Sequence, residues 1–223
     1  MKYIVSLGSI FLIAATIFWF GQNLKLPSPE NVEGQNTVST SPSPVPFADL
    51  TIPFLRNRSY SSKLGEMNKV SQNANYTSYL TSFGSDGLKI YGLLTIPIGD
   101  NTPFPAIVFV HGYIPPAEYR TQEKYVDYVD YLARNGFVVF KIDLRGHGIS
   151  EGEASGAYYS GDYIIDTLNS FAALQNTEFV DPEKIGLWGH SMAGNVVLRT
   201  LALRPDIPAA VIWAGAGYTY TDF

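Results

Sequence analysis

The stretch Lys184-Ile185-Gly186-Leu187-Trp188-Gly189-His190-Ser191-Met192-Ala193-Gly194 restricts what this chain can fold into more than any other. Lys184 to Trp188 reads as a short buried strand. Asn195 to Arg204 reads as a helix with Val197, Leu198, Leu201 and Ala202 on one face. Between them a serine, Ser191, is flanked by small residues. A sharp strand-to-helix turn lifts such a serine above a sheet and places backbone N–H groups beside it, two things that a weak hydroxyl nucleophile needs. The turn strains the serine backbone, so its neighbours must be small. Gly189 and Ala193 supply that smallness, and Gly194 lets the helix pack close to the strand. Against the usual G-x-S-x-G spacing, Ala193 replaces the second glycine and a glycine follows one place later. A competing bland reading is that Gly-rich strand-to-helix turns are frequent in α/β proteins and that any serine can sit in one.

With 223 residues, 46% of them hydrophobic and 16% charged, the chain suits one globular domain with appendages. The formal net charge of -5 argues against a nucleic-acid partner, because neutralising a phosphate backbone takes concentrated Lys and Arg. The absence of cysteine excludes disulfides, thiolate metal sites and a cysteine nucleophile. No metal-ligand spacing is visible, and no cofactor is implied. Gly146-His147-Gly148 lacks the third glycine and downstream acid of a dinucleotide loop. Glu151 and Glu153 read as a solvated loop.

In chain order, Tyr3 to Phe20 carries no charge and is about long enough to span a membrane. It reads as an uncleaved anchor (residues 1–25) that leaves the rest extracytoplasmic; the alternative is a cleaved secretory signal. Residues 26–47 are rich in Pro and Ser and read as a spacer; residues 48–74 form an extension without a secure assignment, in which Ile52, Phe54 and Leu55 are available to dock. The folded domain is expected over 75–223. Tyr76 to Ser82 and Leu88 to Ile96 flank Gly84-Ser85-Asp86-Gly87 as a hairpin. Ala106 to Val110 and Phe137 to Ile142 read as buried strands, Tyr125, Tyr128, Val129 and Leu132 as a helix stripe closed by Asn135-Gly136, and Ile164, Leu168, Phe171 and Ala172 as a second helix. Asp181-Pro182-Glu183 reads as a turn into the serine-bearing strand, and Ala210 to Trp213 as one more strand. This alternation predicts a mainly parallel sheet with helices on both faces, with His111, Asp143 and Ser191 at the carboxyl ends of strands, where ligands bind.

Three motifs in order carry a resemblance: Val110-His111-Gly112-Tyr113, Asp143-Leu144-Arg145-Gly146-His147-Gly148-Ile149-Ser150-Glu151-Gly152, and Val180 through Gly194. Over about Tyr76 to Gly217 the sequence resembles an α/β-hydrolase of the prolyl oligopeptidase-like, dienelactone hydrolase-like branch of serine hydrolases. The resemblance implies that Ser191 is the nucleophile forming an acyl-enzyme, and that the backbone N–H groups of Met192 and Tyr113 form the oxyanion hole.

It also implies an acid and then a histidine after later strands. No histidine follows Ser191, and the sequence ends at Phe223, one strand past it, so the sheet is expected to be incomplete and the acid and base to lie outside these residues. Asp222 follows that last strand, but this branch takes its acid from a later loop. His190 is expected to point away from the serine, His111 to bond structurally beside the oxyanion loop, and His147 to support its own loop. Tyr113, Tyr119, Tyr158, Tyr159 and Tyr218 are available to line a site or simply to pack. The expected function is a membrane-anchored serine hydrolase acting on a small-molecule ester or peptide. The absence of a propeller-sized N-terminal domain favours an esterase or small-substrate hydrolase. The competing readings are a tethered module that kept the fold without its chemistry, and an acyltransferase using the same serine.

Overall fold

The computed structural model describes residues 47–100, 102–156 and 160–217. The run Tyr3 to Phe20, the 26–46 spacer, Tyr158, Tyr159, Tyr218 and Asp222 lie outside them. Among the described residues no helix is long and apolar enough to cross a membrane.

Strands β1 (Asn68–Gln72), β2 (Tyr76–Ser85) and β3 (Leu88–Pro97) form an antiparallel meander. The β2–β3 hairpin turns at Asp86-Gly87, where both residues have positive φ, the two-residue loop whose twist matches its flanking strands. Beyond Pro97 the chain crosses to β4 (Phe104–Val110) and, through a helix, to β5 (Val138–Ile142); β6 (Val180–His190) and β7 (Ala210–Trp213) follow. All seven join one sheet in the order β1-β2-β3-β5-β4-β6-β7. The sheet is mixed rather than mainly parallel as the alternation suggested. The meander attaches through β3 antiparallel to β5, whereas β5, β4, β6 and β7 run parallel. Residues 181–183 are not a turn before a strand: β6 already includes Val180, paired with Phe104 across a register shift.

Helices cover both faces of the parallel half. Helix α2 (Val126–Arg134) turns Val129 and Ala133 inward, and Val129 meets Phe109, Val139 and Trp188 on one face. Helices α3 (Asp162–Gln175) and α4 (Ala193–Leu203) cover the other, where Val108, Val110, Phe140, Ile142, Leu168 and Val197 share the main core. Every residue of α3 from Tyr163 to Leu174 is buried, its polar ones included. A helix buried all round must satisfy its polar groups internally. Asn169 Nδ2 donates to Ser85 Oγ, and Asp166 accepts from Ser85 Oγ at 2.6 Å and from Arg145.

The 48–74 extension belongs to this core. A short helix, α1 (Ile52–Asn57), starts at Thr51, whose hydroxyl accepts the Phe54 N–H, and carries Pro53 in its first turn where a missing N–H costs nothing. Its Leu55 is buried in the main core, and Arg56 donates to the Ala202 carbonyl near the end of α4.

Candidate active site

Parallel pairing ends β4, β5 and β6 flush: Val110 lies opposite both Ile142 and Gly189. The residues that follow, His111, Asp143 and His190-Ser191, therefore share one carboxyl edge.

Ser191 sits at the β6–α4 junction with φ +51°, the left-handed region that a non-glycine residue occupies at a cost. Hydrogen bonds hold it there. Its N–H donates to the Trp213 carbonyl at 3.1 Å, and its own carbonyl accepts the N–H groups of Gly194 and Ala216, each at 2.8 Å. The elbow is as crowded as its small residues imply. A Cβ on Gly189 would stand 2.7 Å from Val197 Cγ2 and 2.8 Å from the Ala193 carbonyl oxygen, and Ala193 is fully buried. Gly194 makes its close approach to Gly215, past the end of β7, rather than to β6: a Cβ there would lie 2.5 Å from Gly215 Cα.

Met192 precedes the first turn of α4 with its side chain buried, and the Tyr113 side chain is 70% exposed at the mouth of the β4 loop. Among the described residues neither Met192 N–H nor Tyr113 N–H has a hydrogen-bond acceptor. Met192 directly follows the half-buried Ser191 at the start of α4, and Tyr113 follows Gly112, where an added Cβ would stand 3.0 Å from the His190 carbonyl oxygen.

The three histidines serve other partners. His111 is fully buried, with Nδ1 2.7 Å from the Gly112 carbonyl and Nε2 3.0 Å from the Asp143 carbonyl, and burial pushes it down to about 4. His147 lies with Nδ1 3.2 Å from the Arg145 carbonyl and is likewise lowered by burial. His190 Nδ1 is 2.8 Å from the Tyr125 hydroxyl. Among the described residues no imidazole hydrogen-bonds to Ser191.

Beneath this edge lies a polar support that the sequence did not announce. Lys141, in the middle of β5, is completely buried and donates to the Thr121 carbonyl and, at 3.4 Å, to the Tyr119 hydroxyl; burial lowers it to about 8. Asp143 accepts from Tyr119 at 2.9 Å and from Thr121 Oγ1, and burial raises it to about 6. Burial, reinforced by the Asp143 charge, raises Tyr119. Two residues on, Arg145 binds Asp166 through Nε and Nη2, the latter at 2.7 Å, and Asp162 through Nη1 at 2.9 Å. The signal for these contacts was faint. A lysine between Phe140 and Ile142 in an apolar strand does not name the groups it will meet, and the acid that Arg145 meets lies on a helix beyond a loop. Among the described residues no group of three His, Asp or Glu is arranged to hold a metal.

Residues 101–222 match the family described as serine aminopeptidase, S33. A thiohydrolase of Aspergillus aculeatus is 31% identical over 110 residues, 49% of this chain and 32% of that protein. Human dipeptidyl peptidase 8 is 31% identical over 147 residues, 61% of this chain and 16% of that protein. The chain thus spans a third or less of the length of these relatives. Among solved structures, an acetyl xylan esterase from Paenibacillus sp. R4 superposes with a TM-score of 0.58 at 20% identity, covering 74% of this chain and 60% of that one, a likeness of fold.

Proposed function

From the premise that this chain belongs to the serine aminopeptidase S33 family, within the α/β-hydrolase superfamily, we propose that it is a serine hydrolase that cleaves an ester or peptide bond through an acyl-enzyme on Ser191. One observation carries the reading: a serine held at φ +51° in a crowded strand-to-helix turn on the carboxyl edge of the sheet.

In the proposed step, Ser191 Oγ bonds to the substrate carbonyl carbon while its proton passes to a base; His111 is hydrogen-bonded through both ring nitrogens, and His147 and His190 through Nδ1, to groups other than Ser191. The carbonyl electrons move to oxygen, and the N–H groups of Met192 and Tyr113 stabilise that charge without reorganising. Collapse expels the alcohol or amine with the transferred proton. Water then repeats the sequence on the acyl-enzyme and releases the acid.

The uncharged run Tyr3 to Phe20 supports a membrane-anchored protein with its catalytic domain extracytoplasmic. Retention on membranes through alkaline carbonate washing tests the anchor, and recovery of a soluble species lacking its first residues would show a cleaved signal instead. That no imidazole among the described residues hydrogen-bonds to Ser191 favours the second reading, a non-catalytic tethered module. One experiment separates the two. The protein encoded by the complete reading frame is treated with a fluorophosphonate probe and a nitrophenyl ester, with Ser191→Ala as control. Labelling and turnover that vanish in the alanine variant support the hydrolase; their absence from the parent supports the module.

A further inference from the structure

Gly112 is gripped from three sides. Its N–H donates to the Tyr125 hydroxyl at 2.9 Å, and its carbonyl lies 2.7 Å from His111 Nδ1. A Cβ placed on it would meet Tyr125 Oη at 2.8 Å, His190 Nδ1 at 2.9 Å and the His190 carbonyl oxygen at 3.0 Å, so this glycine lies directly against the residue before the nucleophile. The Gly112 carbonyl and the Tyr113 N–H belong to one planar trans peptide and point in opposite directions. Holding that carbonyl down toward buried His111 aims the Tyr113 N–H the other way, out of the core.

Tyr125 completes the grip. Its hydroxyl accepts from Gly112 and lies 2.8 Å from His190 Nδ1. Tyr125 donating to His190 Nδ1 gives the hydroxyl proton an acceptor while its oxygen takes the Gly112 N–H. A single phenol thus ties the β4 loop, which holds one oxyanion donor, to the β6 end, which holds the serine and the other donor. The phenol is itself fixed in place. Tyr125 has φ +60°, another occupied left-handed position, and its ring packs edge-on against Phe109 at 5.4 Å and Trp188 at 6.2 Å. A strained backbone supported by aromatic packing marks a residue whose direction matters.

We propose that Tyr125 is a positioning residue of the oxyanion hole, setting the distance between the Tyr113 and Met192 N–H groups by tying Gly112 to His190. The inference rests on the hydrolase reading above. Catalysis falls steeply when an oxyanion donor is misplaced, because the donor stabilises charge that exists only in the transition state.

The test uses the protein encoded by the complete reading frame. Tyr125→Phe keeps the ring and removes only the oxygen. Per fluorophosphonate-titrated site, kcat for a nitrophenyl ester falls about 10- to 100-fold with KM within about twofold, and a boronic acid binds more weakly by a similar factor. His190→Asn, whose amide oxygen takes the place of Nδ1 as acceptor, retains more activity than His190→Leu. A purely structural role would lower the titrated fraction and leave turnover per site unchanged, which overturns the proposal. So does a Phe variant with parental kcat in a parent whose turnover depends on Ser191. A parent without Ser191-dependent turnover overturns the hydrolase reading and the positioning role together. If the Phe variant does not fold, His190→Leu takes its place, with parental turnover per site again overturning the proposal.

Discussion

Gly194, in the first turn of α4, and Gly215, just past β7, touch backbone to backbone: a Cβ on Gly194 would sit 2.5 Å from Gly215 Cα and 3.0 Å from its carbonyl carbon. Neither obstacle is a side chain that can rotate away. Gly194→Ala is therefore expected to destabilise the fold by about 1 to 3 kcal/mol as overpacking, whereas Ala193→Gly, which only removes volume, is tolerated better. Denaturant midpoints of the two variants check this, and a parental midpoint for Gly194→Ala would mean that the helix does not lie against Gly215.

Arg145 and Asp166 form an ion pair closed off from water, with Asp166 fully buried and the Arg145 side chain 8% exposed. Removing one partner leaves a charge that the interior cannot solvate. Asp166→Ala or Arg145→Met alone is expected to cost about 3 to 5 kcal/mol, and the pair of changes less than their sum. A double-mutant cycle on unfolding free energies measures the difference. Strict additivity would remove the pair as the tether between the Asp143–Gly152 loop and α3.

Lys141 makes a pH-dependent contribution whose sign follows from its burial. Its folded value lies near 8 and its ordinary value at 10.5, so between them the unfolded chain binds more protons. Stability from this group is present above about 10.5 and is lost as pH falls through about 8. Melting temperatures of the parent and of Lys141→Met, followed from pH 7 to 10.5, should differ in slope, with the parent rising relative to the variant. Parallel curves would mean that Lys141 is solvated.

Because none of His111, His147 and His190 hydrogen-bonds to Ser191 among the described residues, residues 1–223 are expected to show no Ser191-dependent hydrolysis. Loss of a serine or histidine from such a triad typically lowers turnover about a million-fold. Ester hydrolysis by this chain should match that of its Ser191→Ala variant. Turnover that disappears with Ser191 would point to His111 or His147 as the base, separable by changing each to Gln.

The parallel half of the fold was legible because its strands are short apolar runs and its helices carry stripes: Ala106 to Val110, Ala210 to Trp213 and the Val129 face of α2 needed only periodicity. The motif order placed His111, Asp143 and Ser191 at strand ends, where the structure has them. The N-terminal extension was not legible. β1 has no buried residue and α1 has one, Leu55, so neither carries a repeat to read. The bend of residues 181–183 was misjudged because Asp-Pro reads as a turn, while a register shift absorbs it within β6. Of the site, the elbow was visible in its small residues. The grip of Tyr125 on Gly112 was not, because a tyrosine on an amphipathic stripe looks like any other packing residue until its hydroxyl has an address.

The left-handed backbone of Ser191 has a consequence for how this protein tolerates change. Glycine occupies φ +51° freely, whereas serine gives up about 1 to 3 kcal/mol to be there. At position 191 the most heat-resistant variant is therefore expected to be glycine, which has no hydroxyl. A library sorted for thermal tolerance alone would drift toward that glycine and accumulate sturdier, silent proteins. Sorting with an active-site probe would hold the serine in place against a steady thermodynamic slope.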